Sequence, residues 1–197
     1  MKIWFTMIII LLSFNKAFAQ TWVEQRVFVS QGRVTLRMSA LMNTGTDKKL
    51  GGFAWLQTEK TLLGKKKKDY GHYGQGYAGL TYYFWPWMQV AGGMGLEDAE
   101  NPARAGGYVW VGNKSRSILF VPEYGGSGFW WKLEANRKIS KAVGLGFITE
   151  RFKGSGLRAE YRIPKTQLTI WAAPMFDRNS VTRKFRSNAL FGIRWTL

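Results

Sequence analysis

Beyond residue 20, hydrophobic and polar positions alternate with a period of two. In Arg33-Val34-Thr35-Leu36-Arg37-Met38-Ser39-Ala40 every even position is apolar and every odd one polar. Gly156-Leu157-Arg158-Ala159-Glu160-Tyr161-Arg162-Ile163 repeats the pattern with opposite parity. Side chains on a strand point alternately to two faces, so each such segment has one apolar and one polar face. Turn residues divide the chain into segments at 22–30, 33–43, 50–59, 72–84, 86–96, 104–112, 115–123, 128–136, 141–151, 156–163, 167–175 and 188–197. No stretch after residue 20 holds enough consecutive apolar residues for a membrane-spanning helix, and helical periodicity is missing.

Two-faced strands suit a soluble sandwich or a membrane barrel. Segments of this length match the roughly 9–11 residues that cross a bilayer on a tilt. Aromatic residues make up 16% of the chain, with Trp and Tyr near segment ends, where interfacial girdles belong. Charges within segments fall mostly on one face, as a polar lumen accepts. These features predict an all-β fold, a closed antiparallel transmembrane β-barrel. Twelve segments give the even count that single-chain bacterial barrels use. If 22–30 is not a strand, the count becomes ten. With the first strand starting in the periplasm, the long connections 60–71, 97–103 and 176–187 fall on the outer side, as in such barrels.

The first residues carry an address. Lys2 precedes an apolar run from Ile3 to Leu12, and Ala17-Phe18-Ala19 offers a small-x-small cleavage site before Gln20. That order is the grammar of a secretory signal peptide, so 1–19 is expected to be removed and 20–197 to form one barrel domain. Without Lys2 and Lys16 the mature chain of 178 residues holds 27 basic and 12 acidic residues, a net charge of +15. No cysteine is present, so an exported chain has to be stable without disulfides.

Gly192-Ile193-Arg194-Trp195-Thr196-Leu197 ends the sequence. It resembles the terminal assembly signal of bacterial outer-membrane β-barrels, a glycine followed by alternating hydrophobic positions. Gly192, Trp195 and Leu197 carry the match, although Phe or Trp is the usual last residue. The resemblance implies recognition by the outer-membrane assembly machinery and insertion in the bacterial outer membrane. It also places Trp22 and Trp195 at the periplasmic ends of the two strands that close the barrel.

Assigning the more apolar face to lipid leaves a charged lumen. The candidate pore lining is Arg26, Arg33 and Arg37 from the N-terminal strands, Lys132, Glu134 and Glu150 from the middle, and Arg158, Glu160, Arg162 and Arg194 from the end. Glu24, Gln75 and Gln89 share that face. On 104–112 and 115–123 both faces are largely apolar, and parity is ambiguous. Fixed arginine charge in a low-dielectric wall concentrates anions, and the guanidinium fork holds carboxylates in two places. One reading is therefore a narrow passive channel for small anionic solutes. In architecture it resembles the small twelve-stranded channels that take up acidic oligosaccharides. In the other reading Arg158, Glu160 and Arg162 pair with Glu134, Lys132 and Glu150, and the network plugs the barrel. That barrel would be structural or bind ligands at its surface.

Basic runs at Lys65–Lys68 and at Arg178, Arg183, Lys184 and Arg186 are candidates for lipopolysaccharide phosphates or for solvated loop tips. A third reading is an outer-membrane lipid hydrolase or acyltransferase. It would rest on His72, the single histidine, with Ser127, Ser155 or Ser187 as nucleophile. Glu97, Asp98 and Glu100 are too few oxygens for a calcium site by themselves. No cofactor fingerprint occurs. A pI near 10.3 fits a nucleic-acid partner in general, but the signal peptide and strand pattern point away from one, toward the lipid bilayer.

Overall fold

The protein is described by a computed structural model covering residues 21–30, 33–44, 49–63, 71–178 and 185–197. The expected signal peptide, the connections at 31–32 and 64–70, the run Lys65–Lys68, and Arg183 and Lys184 lie outside the described residues.

Twelve strands follow one another: β1 Trp22–Ser30, β2 Arg33–Asn43, β3 Leu50–Leu63, β4 His72–Trp85, β5 Met88–Glu97, β6 Ala103–Gly112, β7 Arg116–Gly125, β8 Gly128–Lys138, β9 Val143–Glu150, β10 Gly154–Arg162, β11 Leu168–Arg178 and β12 Phe185–Thr196. Each pairs antiparallel with its chain neighbours, and β1 pairs with β12 to close the barrel. The count is twelve rather than ten. Segment 22–30 is a full strand, bonded to β2 from Trp22↔Leu41 to Ser30↔Arg33 and to β12 from Trp22↔Thr196 to Val29↔Ala189. Closure leaves no strand edge open to pair with another chain. The start of β1 and the end of β12 sit at one end, the periplasmic end in barrels of this kind.

Three strands run further than the polarity of their tips suggests. β3 continues to Leu63, and β11 and β12 stay paired to Arg178↔Phe185. Polar residues there read as loop by composition. Cross-strand bonding still holds them, with Asp177 opposite Arg186.

Burial is inverted relative to a soluble protein. Met94 is 77% exposed and Leu157 72%, whereas Glu24 is fully buried and Lys132 and Arg158 are each 1% exposed. The apolar residues face outward, where lipid is the solvent. Val34, Leu36 and Met38, Phe129, Trp131 and Leu133, Val143, Leu145 and Phe147, and Leu157, Ala159 and Tyr161 share the outer parity of their strands. Aromatics ring both ends. Tyr82, Phe84, Trp85 and Trp87 cluster at the periplasmic β4–β5 turn, Trp85 stacked on Trp87 at 5.0 Å. Tyr124, Phe152, Phe176 and Phe185 are exposed at the other end.

Aromatics are not confined to girdles. Trp22, Trp55, Trp110, Trp130 and Trp171 occupy inward positions, so five of the nine described tryptophans line the interior. Trp195 faces outward as a girdle residue would, but Trp22 turns in and meets Trp55 edge-on at 5.5 Å. The ambiguous parity of β6 and β7 has the same origin. Arg104, Tyr108, Trp110, Leu119, Val121 and Glu123 face inward there, and the lumen of this half is packed by an apolar and aromatic cluster from β2 to β7.

Gly192, in the terminal strand, has a packing role of its own. A Cβ at this position would overlap the indole of Trp171, which faces inward from the paired position on β11. Overfilling such a site costs about 1–3 kcal/mol. Gly192→Val is expected to lower the denaturant midpoint of the refolded barrel accordingly, with Gly92→Val as a comparison at a position where an added Cβ meets nothing within 4 Å. Urea titration followed by tryptophan fluorescence reads the difference.

Candidate functional site: an ion-pair belt beneath an outer vestibule

Inward positions of β1, β2, β3, β8, β9, β10 and β12, with the β9–β10 turn, carry one connected set of ion pairs. Arg26 on β1 binds its strand neighbour Glu24 and reaches Glu134 on β8 at 2.8 Å. Arg37 on β2 reaches Glu150 on β9 at 2.8 Å and Glu59 on β3 at 2.6 Å. β1 and β8, like β2 and β9, stand on opposite sides of the wall, so these two arginines bridge the bore. Lys132, Arg158 and Arg194 converge on Glu134 at 3.1, 3.1 and 3.6 Å. Arg194 also binds Glu24 at 2.8 Å, and Arg158 lies 3.3 Å from Glu160.

The inward tryptophans cover the cations. Arg158 lies over the Trp171 ring at 4.2 Å and Arg26 at 5.1 Å from it. Arg194 stacks on Trp22 at 4.9 Å, Lys132 on Trp55 at 5.5 Å and Arg37 on Trp130 at 5.7 Å. Ring faces carry negative quadrupole charge and attract such cations, most strongly where both are desolvated. Trp171 also donates its Nε1–H to Glu24 at 3.0 Å.

A second cluster fills the β4–β7 side. Arg104 binds Glu97 at 2.5 Å and Glu123 at 2.6 Å. Tyr73 and Ser127 donate to Glu97, and Tyr77 and Gln75 on β4 donate to Glu123, three strands along the wall on β7, at 2.9 Å. Glu97 is thus committed to the lumen rather than gathered with Asp98 and Glu100. Among the described residues no group of three or more His, Cys, Asp or Glu side chains is arranged to hold a metal.

Of the predicted lining, Arg26, Arg37, Lys132, Glu134, Glu150 and Arg158 are buried in the belt. Glu160 and Arg194 join it from partly exposed positions, each 22% exposed. Arg33 and Arg162 do not enter it. Arg33 sits exposed at the outer mouth and donates to Thr61 at 3.1 Å. Arg162 is exposed at the periplasmic rim with Lys138 and Lys141.

Glu59, Lys153, Arg104 and Glu123 were not in the predicted lining. Glu59 lies at the tip of its segment, Lys153 in a turn, and the other two on strands of ambiguous parity. With Glu97 they change the charge count. The paired interior holds seven cations and seven carboxylates, a balance in place of the basic excess read from the alternation. The described excess of positive charge is at the two mouths.

The outer mouth holds a vestibule of about 270 Å³. Arg33, Arg37, Arg104, Arg151 and Lys153 line it against Glu59 and Glu123, with Phe28, Tyr73, Phe129, Trp130 and Phe152 between them. The β9–β10 turn shapes one wall. Phe152 adopts a left-handed φ of 70°, a conformation that bulky residues rarely take, and it stands out while Lys153 turns in. Lys153 binds Glu150 at 3.1 Å and Glu59 at 3.3 Å and lies 5.3 Å from the Phe28 ring centre. Burial pushes its ammonium below the usual lysine value, against the pull of the two carboxylates.

His72 is on the outward face, where its Nε2 meets Thr58 Oγ1 at 3.2 Å. Ser127 donates to Glu97 and Ser155 to Thr149. No serine–histidine hydrogen bond is formed among the described residues.

No family model matches the chain, and no curated protein matches it. Solved structures do. A NanC porin superimposes with a TM-score of 0.60 at 12% identity, covering 89% of this chain and 100% of its own. A KdgM porin gives 0.59 at 12% identity, covering 89% and 99%. Outer membrane phospholipase A from Escherichia coli gives 0.56 at 9% identity, covering 91% and 90%. At these identities the likeness is one of fold. The chain is a porin-like β-barrel of the bacterial outer-membrane type, with twelve strands.

Removing one member of a buried ion pair strands its partners and costs about 3–5 kcal/mol. Glu134→Gln, which leaves four cations short of one carboxylate, is expected to fall in that range. Arg162→Gln at the exposed rim should change stability by no more than about 0.5 kcal/mol. Equilibrium unfolding of both variants in detergent micelles checks the contrast.

Proposed function

We propose that this barrel receives small anionic solutes in its outer vestibule and holds its lumen closed beneath them with the ion-pair belt. The observation that carries the reading is the pair of bridges across the bore, Arg26 to Glu134 and Arg37 to Glu150, each at 2.8 Å and each between buried side chains. A wall whose charges meet in the middle leaves no straight aqueous path. Above it the vestibule is lined by the paired cations Arg37, Arg104 and Lys153 and by Arg33 and Arg151, which form no ion pair among the described residues, and guanidinium forks in a partly enclosed site suit carboxylate or phosphate. A location in the bacterial outer membrane, reached through a cleaved signal peptide, belongs to the same proposal.

A second reading is passage of the anion to the periplasm. It is supported by the fold likeness to the small porins, one of which has been solved in complex with disordered oligogalacturonate, and by the basic rim at Lys138, Lys141 and Arg162. In this barrel such passage requires the belt to part. A lipid-modifying role has no comparable support, because His72 meets Thr58 while Ser127 and Ser155 donate to Glu97 and Thr149.

Planar-bilayer recording of the refolded protein under a salt gradient separates the readings. The unmodified barrel is expected to be silent or to open only briefly. Arg37→Ala, which deletes one bridge, should give longer and larger openings. A stable, anion-selective conductance in the unmodified protein would overturn the closed belt in favour of passage.

A further inference from the structure

Arg116 on β7 and Arg137 on β8 are cross-strand partners on the lipid-facing surface, at the periplasmic end of the barrel. Both are exposed, and neither has a carboxylate within ion-pair distance among the described residues. Directly opposed residues of an antiparallel pair hold their Cβ atoms about 4.5–5.5 Å apart, and like charges there repel. The surroundings add to the imbalance. The neighbouring periplasmic turns carry Lys114, Lys141 and Lys165, and none of the described periplasmic connections contains Asp or Glu.

Directly above the arginine pair lies an apolar groove of about 590 Å³. Ala135 is its floor, the next outward position on β8 after Arg137. Ile118 faces Ala135 from β7, Phe147 and Leu145 flank it from β9, and Val111 stands beyond Ile118 on β6. A small residue among large ones makes a channel on the lipid face, with two guanidinium groups at its headgroup end.

We propose that this groove is a binding site for an anionic phospholipid of the periplasmic leaflet. The phosphate sits between Arg116 and Arg137 and relieves their repulsion, while an acyl chain lies over Ala135 between Ile118 and Phe147. Each guanidinium presents a planar fork that matches phosphate oxygens, and the groove provides what a free anion would not use. The site is independent of the lumen and of the anion reading above.

Native mass spectrometry of the full refolded chain, released from micelles holding equal phosphatidylglycerol and phosphatidylcholine, tests it. The unmodified barrel should retain phosphatidylglycerol preferentially. Arg116→Gln and Arg137→Gln should each reduce that preference about fivefold, and Lys60→Gln, an outward cation at the other end, should not. Ala135→Leu fills the groove without altering charge and should reduce retention of both lipids. Excess inorganic phosphate should not displace the bound lipid. Gel mobility before and after heating establishes that each variant is folded. Equal retention of both lipids by the unmodified protein would sink the proposal. So would unchanged retention in the arginine variants or in Ala135→Leu, or displacement by phosphate.

Discussion

A carboxylate inside a closed barrel has protein on every side and lipid beyond, and it must find its counter-charges in the wall. Glu134 finds four, Arg26, Lys132, Arg158 and Arg194, supplied by β1, β8, β10 and β12. Burying an ion is favourable only when partners and hydrogen bonds compensate its lost hydration. That constraint explains why interior charges come in equal numbers and why tryptophans lie against the cations. It also explains why bonds cross the bore instead of running only along it.

The belt in turn sets the division of the molecule. Below it and on the β2–β7 side the bore is packed with Phe53, Trp55, Tyr77 and Tyr108. Above the β9–β12 wall, Ile148, Trp171, Met175 and Leu190 fill the space. The outer mouth stays open, and there Arg33 and Arg151 add cations that form no ion pair among the described residues. A basic surface in a vestibule and a neutral, locked interior are different devices. The first concentrates anions at an entrance. The second stabilises the wall and decides whether anything passes.

The outer surface follows another rule, because lipid tails are as apolar as the side chains that face them. A polar residue there stands out only against its neighbours. Arg116 and Arg137 do so together, at a depth where an interfacial arginine costs about 0–1 kcal/mol. The Gly192–Trp171 contact shows one residue answering to both surfaces. Its place in a terminal pattern resembles an assembly signal, and its missing side chain makes room for an indole that caps two belt arginines.

By itself the sequence determined the strands from β2 onward, left their number at twelve or ten, and fixed for most of them which face meets lipid. Alternation is a local property, since each side chain's face follows from its neighbours' parity and needs no knowledge of the partner strand. It also brought Arg26, Arg37, Lys132, Glu134, Glu150 and Arg158 to one face. It failed on β6 and β7, because an apolar or aromatic residue is at home both against lipid and inside a packed bore, so Tyr108, Trp110 and Val121 carry no parity signal. It also left Glu59 and Lys153 outside the lining, since a strand tip and a turn have no face until neighbours give them one. The tertiary structure alone decided which charges meet. A bridge from β1 to β8 depends on register and on the width of the closed wall, both set by twelve strands at once, and pairing across that bore turned a basic face into a neutral belt.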